Sequence, residues 1–170
     1  HRQNFASNNE TGRIGAQWSN DWLRLGANIS SDDKQSGLPG ALTAAQNASN
    51  PWQSNTPNDH SRQRSDQHGI FAQAQLGSWE LALDSSWRDK ASRATYGGFS
   101  SDFDLNARNT SLRARQQIQT ATIQNAVTIG WDYSRWQRDT LGAWPSKAVA
   151  KNTGWYLKDE LTLSSSGTQL

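Results

Sequence analysis

The chain has 170 residues, with 17 basic against 15 acidic side chains, a formal net charge of +2, and neither cysteine nor methionine. No disulfide framework, zinc knuckle or thiol catalyst can be built from it. Without a Lys/Arg run, a nucleic-acid-binding face is excluded as well. Only 34% of residues are hydrophobic, yet nine are tryptophan, too many for a chain that never buries or anchors anything.

Period-2 alternation is the dominant signal along the chain. It predicts strands over 10–19, 22–32, 67–77, 79–91, 103–118, 125–137 and 153–163. In the first, Ile14, Ala16 and Trp18 alternate with Arg13, Gly15 and Gln17. In the second, Leu23, Leu25, Ala27 and Ile29 stand opposite Arg24, Gly26 and Asn28. The third sets Ile70, Ala72, Ala74 and Leu76 against Phe71, Gln73 and Gln75. Trp79, Leu81, Leu83 and Trp87 oppose Glu80, Asp84, Arg88 and Lys90 in the fourth, while the fifth alternates cleanly only around Thr110, Leu112 and Ala114. The sixth has Val127, Ile129, Trp131 and Tyr133 against Thr128, Gly130, Asp132 and Ser134. The seventh has Trp155, Leu157, Leu161 and Leu163 on its apolar side, broken by Asp159.

The connections alternate between short (19–21, Gly77-Ser78, 119–124, 164–167) and longer ones, of medium length at 91–102 and long at 32–66 and 137–152. A helix-friendly stretch, Ala41 to Gln46, falls in the first long one. Tight turns at one end and long loops at the other are the signature of an outer-membrane barrel. Trp18, Trp22 and Trp79 flank short turns, and Trp87, Tyr133 and Trp155 approach the long loops, so these six are expected to be membrane-interface aromatics. No apolar run approaches the length of a membrane helix. The predicted fold is all-β: an antiparallel up-and-down transmembrane β-barrel, present in part, without a helix over any predicted strand.

Three motifs add a family resemblance. Ser36-Gly37-Leu38-Pro39-Gly40-Ala41-Leu42-Thr43 followed by Asn50-Pro51, Gly130-Trp131-Asp132-Tyr133, and Trp155-Tyr156-Leu157-Lys158-Asp159-Glu160-Leu161 resemble segments of TonB-dependent outer-membrane receptors. The resemblance implies about seven to eight strands of a 22-strand barrel, in the outer membrane of a Gram-negative bacterium. It also implies active uptake of a scarce ligand such as a ferric siderophore or cofactor. The whole of 1–170 then reads as an incomplete barrel segment, an expectation that accords with its lack of methionine and of a signal peptide. The plug domain, TonB box and C-terminal strand are expected outside it. Implied partners are outer-membrane lipid, the plug and remaining strands, the TonB complex and a small ligand such as a ferric chelate. The alternatives are a passive porin-like barrel and a soluble β-sandwich binding module.

The sequence offers no catalytic constellation, so a non-enzymatic role without cofactor or metal is expected. Asp32 and Asp33 are adjacent and point to opposite faces of a strand, and Asp59-His60 is thin as a ligand set. Recognition is expected from the long loops, through Trp52, Arg62, Arg64, Arg93, Tyr96, Phe99, Trp144 and Lys147, because aromatics beside cations suit flat anionic ligands. Arg24, Arg88, Arg113 and Arg115 are expected to point into a lumen and pair with carboxylates there.

Overall fold

The computed structural model describes residues 1–120 and 123–163. The elements in chain order are β1 (Ser7–Ser19), β2 (Leu23–Gly37), α1 (Ala44–Ser49), β3 (His60–Leu76), β4 (Trp79–Tyr96), β5 (Phe99–Ser100), β6 (Asp102–Gln119), β7 (Ile123–Leu141) and β8 (Ser146–Leu163). All seven predicted strands are present, and β5 is an additional two-residue strand. They form one antiparallel sheet in the order β1-β2-β3-β4-β6-β7-β8, with β5 beside β4. It is an up-and-down meander ending at β1 and β8, so it does not close on itself. Among the described residues no second sheet packs against it, which removes the sandwich alternative.

Local chemistry accounts for the turns. The Asn20 carboxamide accepts hydrogen bonds from the Trp22 and Leu23 amides, an Asx-type turn between β1 and β2. Gly77 has φ 62° at the first central position of the β3–β4 hairpin, the left-handed conformation a type II′ turn requires. Thr43 caps α1 through a reciprocal bond with Gln46. The expected turn at 164–167 lies outside the described residues, as do the central residues of the 119–124 turn.

The strand register assigns each side chain to a face. Trp18 stands opposite Leu25, and the row continues through Ala72, Leu83, Leu112, Trp131 and Trp155. Counting by two from that row puts Ile14, Leu25, Ile29, Ile70, Leu81, Leu83, Val127 and Ile129 on one face. Arg24, Asn28, Gln73, Asp84, Arg88, Thr128 and Asp132 lie on the other. The apolar face has no cover: Ile14 is 72% exposed and Leu157 73%. Buried hydrophobic residues among those described are only Ala82, Ala94 and Ala126. The described residues therefore build no hydrophobic core of their own, and the large side chains of this face need an apolar surrounding from outside them.

That apolar band runs diagonally to the register. From the Trp18 row, the last paired residue before the turn is one position further on in β1 (Ser19), four in β3 (Leu76) and seven in β6 (Gln119). A shift of three residues for every two strands, at ~3.3 Å per residue and ~4.8 Å between strands, corresponds to strands tilted by roughly 45°. Transmembrane barrel strands tilt by about this much. The same row thus joins the turn-side tryptophan of β1 to the loop-side tryptophan of β8.

The strands are longer than the alternation predicts, most of all at the loop end. β2 runs on to Gly37, β3 begins at His60, β4 reaches Tyr96, and β7 and β8 meet across 142–145. The longer connections expected at 32–66, 91–102 and 137–152 shrink accordingly, and the strict contrast in loop length survives only at 38–59. At 19 residues, β7 spans ~60 Å along its axis, more than a tilted strand needs to cross the hydrocarbon. Beyond the apolar layer neither face must be apolar, so the strands continue while the period-2 signal stops.

Candidate functional site

The polar face carries a groove of about 690 Å³ crossing from β2 to β8. Asn28, Gln67, Asp84, Ser111, Asp132 and Asn152 are among its lining residues. Ser111 donates to the Asp132 carboxylate, and the Arg113 guanidinium lies 3.9 Å from Asp84. Arg115 stands 3.9 Å from Glu160, whose other partner is Lys158 at 2.7 Å. Among the described residues the Arg115 Nε is buried without a hydrogen-bond acceptor.

Two aromatic rings lie flat on this face because glycine faces them. A Cβ on Gly26 would overlap the Phe71 ring, and one on Gly130 would overlap the Tyr156 ring. Phe71 in turn carries the Arg24 guanidinium 5.2 Å above its centre, a cation–π contact. Nearer the loop end, Arg138 sits 4.2 Å over Phe103, with Lys90 at 5.9 Å from the same ring. This aromatic–cation cluster is one that loop membership could not single out. Parity counting along β7 and β6 would have found it, had the alternation remained visible there.

The long connection 38–59 is laced down by polar contacts. The Asn4 carboxamide donates to the carbonyls of Leu38, Thr56 and Asp59, and Arg2 to that of Gly40. The buried Asp59 carboxylate accepts from the Gly97 amide at 2.6 Å, joining this loop to the β4–β5 hairpin. His60 Nδ1 lies 2.9 Å from the Asn58 carbonyl. Asp59 and His60 are thus occupied with backbone.

The eight residues expected to recognise ligand divide into two groups. Trp52 follows α1, Tyr96 and Phe99 bracket the glycine pair of the β4–β5 hairpin, and Trp144 sits in the β7–β8 connection, 89% exposed. These four lie at the loop end. For Arg62, Arg64, Arg93 and Lys147 the expected loop placement is corrected: they stand in strands and, by register, on the apolar-side face. Each pairs there with a carboxylate: Arg62 with Asp33 at 2.5 Å, Arg64 with Asp66 at 3.2 Å, Arg93 with Asp104 at 2.7 Å and Lys147 with Asp139 at 3.9 Å. The hydrogen bond from Arg62 holds the Asp33 carboxyl below the usual carboxylate range. Of the six aromatics expected at interfaces, Trp18, Trp79, Trp87, Tyr133 and Trp155 project on the apolar face, and Trp22 sits in the β1–β2 turn. Trp131 joins them, stacked on Tyr133 at 6.0 Å and tilted against Trp155 at 6.2 Å.

A solved structure of the ferric citrate transporter FecA, in its unliganded form, superposes on 96% of the chain with a TM-score of 0.80 at 16% identity. The fold is a section of that transporter's fold. The chain spans only 28% of the length of FecA. No protein-family model and no curated protein matches the sequence.

Proposed function

We propose that the chain is a barrel segment of a TonB-dependent transporter in the outer membrane of a Gram-negative bacterium. The observation that carries this reading is the diagonal apolar band, exposed on one face of strands tilted by roughly 45°, in a fold shared with a ferric citrate transporter. The polar face is then the lumen, the side on which the plug domain of such a transporter would sit. Trp52, Tyr96, Phe99 and Trp144 at the loop end, with Lys90, Phe103 and Arg138 on the polar face below, form the surface offered to the ligand. Cations stacked on aromatic rings suit a flat, anionic ligand, and ferric chelates, citrate among them, have that chemistry.

The test is uptake of iron-55 presented as ferric citrate and as a panel of anionic ferric siderophores. The full-length protein is expressed in a Gram-negative host stripped of its own ferric receptors. Uptake of at least one chelate, abolished when TonB is deleted, is expected. Uptake that persists without TonB would instead identify a passive porin-like barrel, and transport of none of the chelates would sink the ligand class.

A further inference from the structure

On the apolar-side face the register also lines up cations. Trp87 stands opposite Arg108, Arg108 opposite Arg135, and Arg135 opposite Lys151. Like charges directly across a strand pair destabilise a sheet unless something neutralises them. Arg62, Arg64, Arg93 and Lys147 on this face each have a carboxylate within 4 Å, whereas among the described residues none lies that close to Arg108, Arg135 or Lys151. What Arg108 does have is the Trp87 ring, 5.5 Å from its guanidinium carbon.

The position of this row narrows the kind of anion that could neutralise it. It starts at Trp87, the loop-side interface tryptophan of β4, and lies two positions beyond Tyr133 on β7 and four beyond Trp155 on β8. With strands tilted by roughly 45°, each step across the sheet raises it by ~3 Å, so it climbs about 10 Å away from the hydrocarbon. That is the depth of lipid headgroups, just outside an aromatic girdle. Below it, the same face has an apolar hollow of about 400 Å³, left where Ala72, Ala74 and Ala114 sit among Leu83, Trp131 and Trp155. A molecule that fills the hollow with hydrocarbon and neutralises the row is a lipid with a phosphorylated headgroup.

We propose that the outward face of β4, β6, β7 and β8 is a binding site for a phosphate-bearing membrane lipid, its phosphate on Arg108, Arg135 and Lys151 and an acyl chain in the hollow. This rests on the membrane-barrel reading. The test compares the full-length protein with its R108Q/R135Q/K151Q variant, both inserted in phosphatidylcholine vesicles containing a few per cent bis-phosphorylated lipid A. Retained lipid A is counted by mass spectrometry after gentle extraction. Retention by the native protein, at least tenfold lower in the triple variant and unchanged by millimolar inorganic phosphate, is expected. Variant R62Q/R64Q removes two cations of the same face that already have partners, and it should retain lipid A like the native protein. R135A alone, the mildest change, should still lose several-fold. Equal retention by native and triple-variant protein, or displacement by inorganic phosphate, would overturn the site while leaving the barrel intact. Failure of the native protein to insert at all would overturn both readings.

Discussion

Replacing Leu83 by arginine separates a lipid-facing strand from one with two buried faces. Leu83 lies midway between Trp79 and Trp87 on the apolar face, four residues from each, with Ala72 and Leu112 directly across. Four residues along a strand tilted by roughly 45° is ~9 Å of depth, so both interfaces are too far for a guanidinium to reach without strain. A lysine or arginine at the midplane costs about 2–4 kcal/mol, which lowers the folding equilibrium constant by a factor on the order of 30 to 1000. The neighbouring Asp84 projects from the polar face, 3.9 Å from Arg113 in an exposed pair. Asp84→Arg loses that pair and places two cations in an aqueous groove, a cost of roughly 1 kcal/mol or less. The assay is urea-dependent folding of the full-length protein into phosphatidylcholine vesicles, followed by heat-modifiable gel mobility. Leu83→Arg should shift the midpoint far more than Asp84→Arg. Equal shifts would show that the strand has two buried faces and would refute the assignment of the apolar face to lipid.

Two further expectations are independent of that one. Gly26→Ala should destabilise the same folding equilibrium by about 1–2 kcal/mol, because the new Cβ takes the place of the Phe71 ring and displaces its contact with Arg24. Gly12→Ala, where a Cβ would meet open space, should change little. The Asp33–Arg62 pair predicts a pH dependence: the Asp33 pKa is lowered in the folded protein. Its contribution is therefore present above the ordinary carboxylate range and lost as pH falls through the lowered value. Asp33→Asn should narrow the stability difference between pH 7 and pH 3, and a difference identical to the native protein's would remove the pair from consideration.

Where the strands pass through an apolar layer, the sequence by itself determines nearly everything. One face must be apolar and the other must not, so Ile14, Leu25, Ile70, Leu83 and Ile129 announce their side through alternation alone. The turns are legible for an equally local reason, since Gly77 supplies a positive φ and Asn20 caps its own turn. Outside that layer the selection for alternation ends, and only the tertiary structure decides. It was the pairing of β3 with β2 and β4 that moved Arg62 and Arg64 out of a loop and onto the outward side of a strand. The same holds for the polar-face cluster of Arg138, Phe103 and Lys90 and for the cation row Arg108, Arg135 and Lys151. Residues of such a row are separated by 27 and 16 positions in the chain. What brings them side by side is register, which accumulates over successive hairpins and is fixed by hydrogen bonds between strands, so no local window of sequence contains it.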